Sequence, residues 1–303
     1  LIYGRKIKMK IKDLFKTGPV ISLEIFPPKP DMPIDTIFST IHELADLHPG
    51  FISVTYGAGG SKKGHTVQIA DAIQNKYGIE TLAHLTCINS TKEEINDVLQ
   101  RLQSVNVENI LALRGDKPQD ENLTNIKENQ YKYAKNLIMH IQEFGGFSIG
   151  AACYPEYHIE AKDPISDLKN LKEKVNSGVD FLITQLFLDN KFFYDFKEKL
   201  ELMNISVPIS AGIMPVINKK QIERITKLCG ASIPVKFKRI LDKYEDNPSA
   251  LKEAGIAYAT EQIIDLLSSG VDGIHLYTMN RAEVARKIIE PISAIRKHLT
   301  TCS

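Results

Sequence analysis

The sequence has no tryptophan, and only four cysteines in 303 residues. Cys87, Cys153, Cys229 and Cys302 lie far apart and no CxxC pair occurs. That spacing argues against a zinc ribbon or a local iron–sulfur cluster and reads as the reduced thiols of a cytoplasmic protein. No apolar run approaches the roughly 20 residues that span a bilayer. The basic stretch 1–10 has no long apolar region behind it, so it does not read as a signal peptide. Charge of one sign is also missing. Lys plus Arg is 38 and Asp plus Glu is 37, a net charge of +1, which gives no electrostatic footprint for nucleic acid or a membrane surface. Missing too are a GxGxxG after any strand, a GxSxG elbow, an HExxH and a Walker A loop. Rossmann binding, serine hydrolysis, zinc proteolysis and P-loop chemistry therefore lack support.

What is present is an ordinary soluble composition, 43% hydrophobic and 25% charged. Eight short runs rich in Ile, Val, Leu and Phe recur along the chain: 20–26, 51–56, 81–87, 109–113, 147–153, 181–186, 208–213 and 273–277. Most lack polar alternation, as suits parallel strands covered on both faces. Helical patterns fill the gaps. Thr91 and Glu94 form a capping-box signature ahead of Ile95, Val98, Leu99 and Leu102. Asp163-Pro164 opens another helix, with Gly178 placed to stop it. Eight βα units predict an α/β fold, a TIM (β/α)8 barrel, with a doubly wound open sheet as the alternative. The interval between the seventh and eighth runs is about twice the usual spacing, and 233–246 and 249–267 read as two helices, one of them extra. Residues 1–18 read as an N-terminal extension and lead-in helix, with Met9 as the natural start, and 19–303 as one barrel. The polar stretch 117–130 reads as a long surface loop, a length often tied to function.

A barrel of this kind works at the C-terminal ends of its strands. Polar residues gather at those ends. They are Glu24, Thr55, Tyr56, His84, Arg114-Gly115-Asp116, Tyr154, Glu156, His158, Gln185, Tyr277, Asn280 and Arg281, with the glycine-rich 57–60 after the second strand. Each has a plainer reading. Glu24 suits a buried carboxylate paired with Lys29 or an arginine. Asp116 suits a turn cap, His84 and His158 suit satisfied core histidines, and 57–60 suits a flexible turn. Gln185 in an apolar strand needs partners. The functional reading rests on convergence at one mouth. A metal site built from Glu24, His84, Asp116 and His158 lacks any local ligand pair.

The same residues stand in longer strings: 22–29 SLEIFPPK, 53–60 SVTYGAGG, 113–116 LRGD, 152–156 ACYPE, 183–185 ITQ, 212–216 GIMPV and 277–283 YTMNRAE. In this order the chain resembles the methylenetetrahydrofolate reductase family from about Ile21 onward. The resemblance implies a barrel holding a flavin, usually FAD, at its mouth. It implies reduction of 5,10-methylenetetrahydrofolate to 5-methyltetrahydrofolate, with NADH or NADPH as usual donor, in ping-pong fashion. By residue-level match, Glu24 is the general acid that opens the folate's five-membered ring. Its apolar neighbours Leu23, Ile25 and Phe26 are expected to raise its pKa. Asp116 stabilises the cationic iminium. Gln185, Gln221, Arg281 and Thr55 match folate contacts, with Arg281 suited to the glutamate tail. Thr55, His84, Arg114, Gly115, Asp116, Tyr133, Ala152, Tyr154, His158, Asp167, Asn170 and Lys174 match the flavin contacts.

One departure concerns charge. Glu173 stands where many members carry arginine, and a negative charge there disfavours a nearby pyrophosphate, so FMN is the alternative to FAD. The chain leaves no room for a C-terminal regulatory domain, which reads as a bacterial form. Two rival functions remain. One is a flavin-free pterin-binding transferase barrel. The other is a catalytic subunit fed electrons by a protein partner. A homo-oligomer is the default expectation for a soluble enzyme.

Overall fold

Strand pairing decides between the two α/β architectures. The computed structural model describes residues 9–29, 31–56, 64–88, 90–116 and 131–301. Among them, eight strands close into one parallel barrel in sequence order: β1 (Val20–Ile25), β2 (Phe51–Val54), β3 (Glu80–Thr86), β4 (Asn109–Leu113), β5 (Ser148–Cys153), β6 (Phe181–Thr184), β7 (Ile209–Ile213) and β8 (Gly273–Tyr277). Closure is direct: Val20 pairs with Gly273 and Glu24 with Tyr277. All eight predicted runs are strands, and the open sheet is set aside. The stretches 57–60 and 117–130 lie outside the described residues, as does Cys302.

The helices stand where the caps put them. Short α1 (Ile11–Leu14) leads into β1, and α2 (Asp35–Ala45) and α3 (Gly64–Asp71) follow β1 and β2. Helix α4 (Lys92–Ser104) carries the full capping box: Glu94 N–H donates to Thr91 Oγ1 at 3.2 Å, and Thr91 N–H to Glu94 Oε2 at 3.0 Å. Then come α5 (Ala134–Phe144) and α6 (Pro164–Asn176), the latter capped by Asp163 with proline at its start. After α7 (Asn190–Leu202) and β7, the two helices expected before β8 are α9 (Val235–Lys243) and α10 (Pro248–Ser268). A further helix, α8 (Lys219–Cys229), precedes them and carries Gln221. These three share a small apolar core of Val216, Ile222, Phe237, Leu241 and Leu251. Finally, α11 (Ala282–Ile289) and α12 (Ser293–Thr301) close the ring.

Strand alternation sorts the side chains into two cores. Leu23, Ile25, Ile52, Val54, Ala83 and Leu85 point outward against the helices, among Ile37, Ile41 and Leu44 of α2. Val20, Phe51, Leu82, Leu111, Phe181 and Ile183 fill the barrel interior. Ile11, Leu14 and Phe15 pack against that inner set from the lead-in segment, and Ile11 N–H donates to Asn109 Oδ1 at 2.8 Å. Toward the C-terminal ends of the strands the inward positions turn polar: Ser22, Ser53 and His275, then Glu24, His84 and Tyr277.

Candidate active site

Glu24 sits at this polar end, its side chain 18% exposed. Its partner is neither Lys29 nor an arginine. Oε2 accepts from His275 Nε2 at 3.3 Å and from Ser53 Oγ at 3.4 Å. His275 is fully buried between strands β1 and β7, with Ser22 Oγ 2.8 Å from its Nδ1. With Nδ1 accepting from Ser22, Nε2 carries the proton and donates to Glu24. His84 Nε2 lies 3.4 Å from the same carboxylate oxygen but makes no well-aligned hydrogen bond.

The expectation that Glu24 has a raised pKa is not met. Burial is the largest single influence and pushes it up. The His275 hydrogen bond, the electrostatic pull of the two neighbouring imidazoles, and Ser53 together hold it below the ordinary glutamate value. The reason for the miss is the pleat. Leu23 and Ile25 flank Glu24 in sequence but face the helices, so its spatial neighbours are histidines and a serine. Burial lowers His84 to about 4, with Glu24 opposing and His275 reinforcing, so its imidazole is neutral at pH 7.

Over the ends of β4 and β5 lies a cavity of about 720 Å³. Its walls are the first residues of α5, the loop 154–162 and the inner face of α6. Eight of the twelve residues expected to hold a cofactor line it: Arg114, Tyr133, Ala152, Tyr154, His158, Asp167, Asn170 and Lys174. The other four, Thr55, His84, Gly115 and Asp116, do not. Thr55 follows β2 and His84 lies in β3. The left-handed Gly115 (φ +85°) turns the chain to an exposed Asp116.

The lining has a definite electrostatic character. Arg114 makes a two-pronged ion pair with Glu160, at 2.8 and 3.1 Å. Lys174 is half-buried with Nζ on the Ala152 carbonyl at 2.5 Å, and desolvation lowers its pKa. His158 donates its backbone N–H to Asp167 Oδ2, and its Nδ1 accepts from Glu160 N–H at 3.0 Å. Burial, then the Arg114 charge, holds its pKa down. Its ring meets Tyr154 edge-on at 4.7 Å, and burial raises the Tyr154 phenol to about 12. Glu173, expected to bring an uncompensated negative charge, is instead paired with Lys135 at 2.8 Å. Tyr277 links the two halves of the mouth: it donates to the Thr184 carbonyl at 2.7 Å, and after burial itself, Glu24, Cys153 and Tyr154 raise its pKa.

The remaining expected residues divide. Gln185 is half-buried at the end of β6, with Oε1 accepting from the Leu186 N–H at 2.7 Å. Gln221 is half-buried in the first turn of α8, held by the Asn218 cap. Arg281 is exposed at the start of α11. Glu156 turns away to hold the Ser232 backbone in the α8–α9 connection, and Asn280 clamps both polar groups of the Phe26 backbone. Sequence reasoning missed His275 and Ser53. Their signal was present, since both are inward-phase polar residues of apolar strands, two positions from Tyr277 and Thr55.

The sequence profile of the methylenetetrahydrofolate reductase family matches residues 8–293. A protein of Pectobacterium carotovorum subsp. carotovorum named 5,10-methylenetetrahydrofolate reductase is 35% identical over 268 residues, covering 88% of either chain. Methylenetetrahydrofolate reductase (NADH) 1 of Arabidopsis thaliana is 37% identical over 287 residues, 91% of this chain and 48% of that protein. The chain thus spans about half the length of the plant relatives it matches. A solved structure of an uncharacterized Clostridium thermocellum protein that binds two copies of 5-methyl-5,6,7,8-tetrahydrofolic acid superposes with a TM-score of 0.64. It is 16% identical and covers 94% of this chain and 98% of its own, a likeness of fold.

Proposed function

Because the chain belongs to the methylenetetrahydrofolate reductase family, we propose that its barrel mouth reduces 5,10-methylenetetrahydrofolate to 5-methyltetrahydrofolate, using a bound flavin. One observation carries this reading: the barrel has a hydrogen-bonded carboxylate, Glu24, at the polar end of β1 and, over the ends of β4 and β5, a cavity lined by eight residues of the expected cofactor set. The fit to a flavin has two further supports. Among the described residues, Thr55 Oγ1 is a buried side-chain atom without a hydrogen-bond partner, and such an atom asks for a ligand. The cavity volume falls in the range of cofactor pockets, and its wall includes the half-buried Lys174. FAD is the first choice and FMN the alternative. When bound, the flavin supplies a hydride relay, taking hydride from NAD(P)H and giving it to the folate's one-carbon unit in ping-pong order.

This chain's own residues do the rest. Arg114, Tyr133, Ala152, Tyr154, His158, Asp167, Asn170 and Lys174 hold the cofactor from the cavity walls. Thr55, His84, Gly115 and Asp116 reach it from the ends of β2, β3 and β4. Gln185 and Gln221 orient the pterin, Thr55 is a further folate contact, and exposed Arg281 pairs with the glutamate tail. Glu24 gives the proton that opens the five-membered ring. A folate covering the mouth removes water from Glu24. Desolvation is already the largest influence raising its pKa, so substrate binding favours the protonated acid. Asp116 stabilises the resulting cation.

The test is Glu24→Gln in separated half-reactions. Flavin reduction by NADH stays within a few-fold of wild type, while the folate half-reaction falls by about a hundredfold or more. Equal loss of both removes Glu24 from its acid role. Flavin that NADH leaves oxidised but a reduced dye can drive moves the electron source to a protein partner. A colourless protein that still binds folate supports the transferase reading.

A further inference from the structure

We propose that Lys135 is the phosphate-binding cation of the mouth cavity, and that Glu173 is its internal counter-anion, displaced when the ligand arrives. The proposal rests on the flavin reading above and names the residue that meets the cofactor's charged end.

The cavity is lined by four cations, Arg114, Lys135, Lys162 and Lys174, and three carboxylates, Glu160, Asp167 and Glu173. His158 also faces it, with burial and then Arg114 lowering its pKa. The balance is one positive charge, so the cavity suits an anion. The cations differ in how they are committed. Arg114 is held by two parallel contacts to Glu160, a geometry that persists. Lys174 is half-buried and tied to the Ala152 carbonyl. Lys162 is exposed and forms no ion pair among the described residues.

Lys135 is different. It makes one 2.8 Å contact to Glu173, and the two side chains are 43% and 61% exposed. A single contact between exposed groups is weak and is lost to a better anion. The carboxylate of Glu173 already marks a position beside Lys135 where an anion is stable. A phosphate, with more charge and more acceptor oxygens, takes that position and leaves Glu173 to solvent. Glu173 then lowers affinity twice, by occupying Lys135 beforehand and by repelling the phosphate afterwards.

The experiment strips the full-length protein of bound flavin and follows rebinding by quenching of flavin fluorescence. Three probes separate the contacts: FAD with a diphosphate, FMN with one phosphate, and riboflavin with none. Lys135→Gln weakens FAD and FMN by about tenfold and leaves riboflavin unchanged. Glu173→Gln tightens FAD by about threefold, and the gain shrinks as salt is raised. Lys162→Gln stays within about twofold for all three. An equal loss of riboflavin and FAD in Lys135→Gln overturns the proposal, because it marks a structural role. Weaker FAD binding by Glu173→Gln overturns it too, as does a phosphate-specific loss in Lys162→Gln. Wild-type protein that binds none of the three flavins overturns the flavin reading itself, and the proposal with it.

Discussion

Glu24 is governed by what lies across the barrel from it rather than by what lies beside it in the chain. His275 reaches its carboxylate from β8, Ser53 from β2, and His84 stands over it from β3. His275 lowers the Glu24 pKa, so its removal raises it. A His275→Leu substitution is therefore expected to move the pH at which the folate half-reaction falls off to a higher value. Stopped-flow rates across a pH series test this, and an unmoved profile argues against the His275–Glu24 contact. His84 carries a separate prediction. Its folded pKa of about 4 lies below the ordinary value of 6.5. The unfolded chain thus binds the extra proton more readily, and this contribution is complete above pH 6.5 and lost as pH falls toward 4. It amounts to about 3 kcal/mol at most. Urea unfolding at pH 7 and pH 4.5 should show a smaller acid-side loss in His84→Gln than in wild type. An equal loss would place the acid sensitivity elsewhere.

Caps and close approaches govern the elements. The capping box of α4 was readable from Thr91 and Glu94, and both of its hydrogen bonds form. Thr91→Ala should cost about 1 kcal/mol in chemical unfolding, leaving the flavin half-reactions untouched. Gly212 in β7 has a different role. A Cβ there would run into the Thr184 carbonyl and come within 2.8 Å of the Tyr277 hydroxyl. Gly212→Ala should therefore break the Tyr277–Thr184 hydrogen bond across β6 to β8 and lower stability by roughly 1–3 kcal/mol. A thermal midpoint equal to wild type would show that β7 yields without cost. The strands were legible because buried parallel strands are continuous apolar runs. The count of helices between β7 and β8 was less so. Helix α8 has a narrow apolar stripe, with Ile222 as its main buried apolar residue, and its core is borrowed from α9 and α10.

At the scale of the whole molecule, a barrel brings together residues 251 positions apart, as with Glu24 and His275. The strand ends showed in the sequence, because polar groups interrupt apolar runs there, and eight of the twelve cofactor-set positions line one cavity. Pairing was not legible. Nothing in the string tells that Glu173 meets Lys135, or that Leu23 faces away from Glu24, since both follow from pleat and helix packing. The central claim is that this mouth is a flavin-dependent reductase site, and one measurement addresses it directly. The purified protein is examined by visible absorption under anaerobic conditions, before and after NADH and then after 5,10-methylenetetrahydrofolate. The account predicts a flavin spectrum that bleaches with NADH and returns when the folate is added. A protein that carries no flavin, and takes up none on incubation with FAD or FMN, would contradict it.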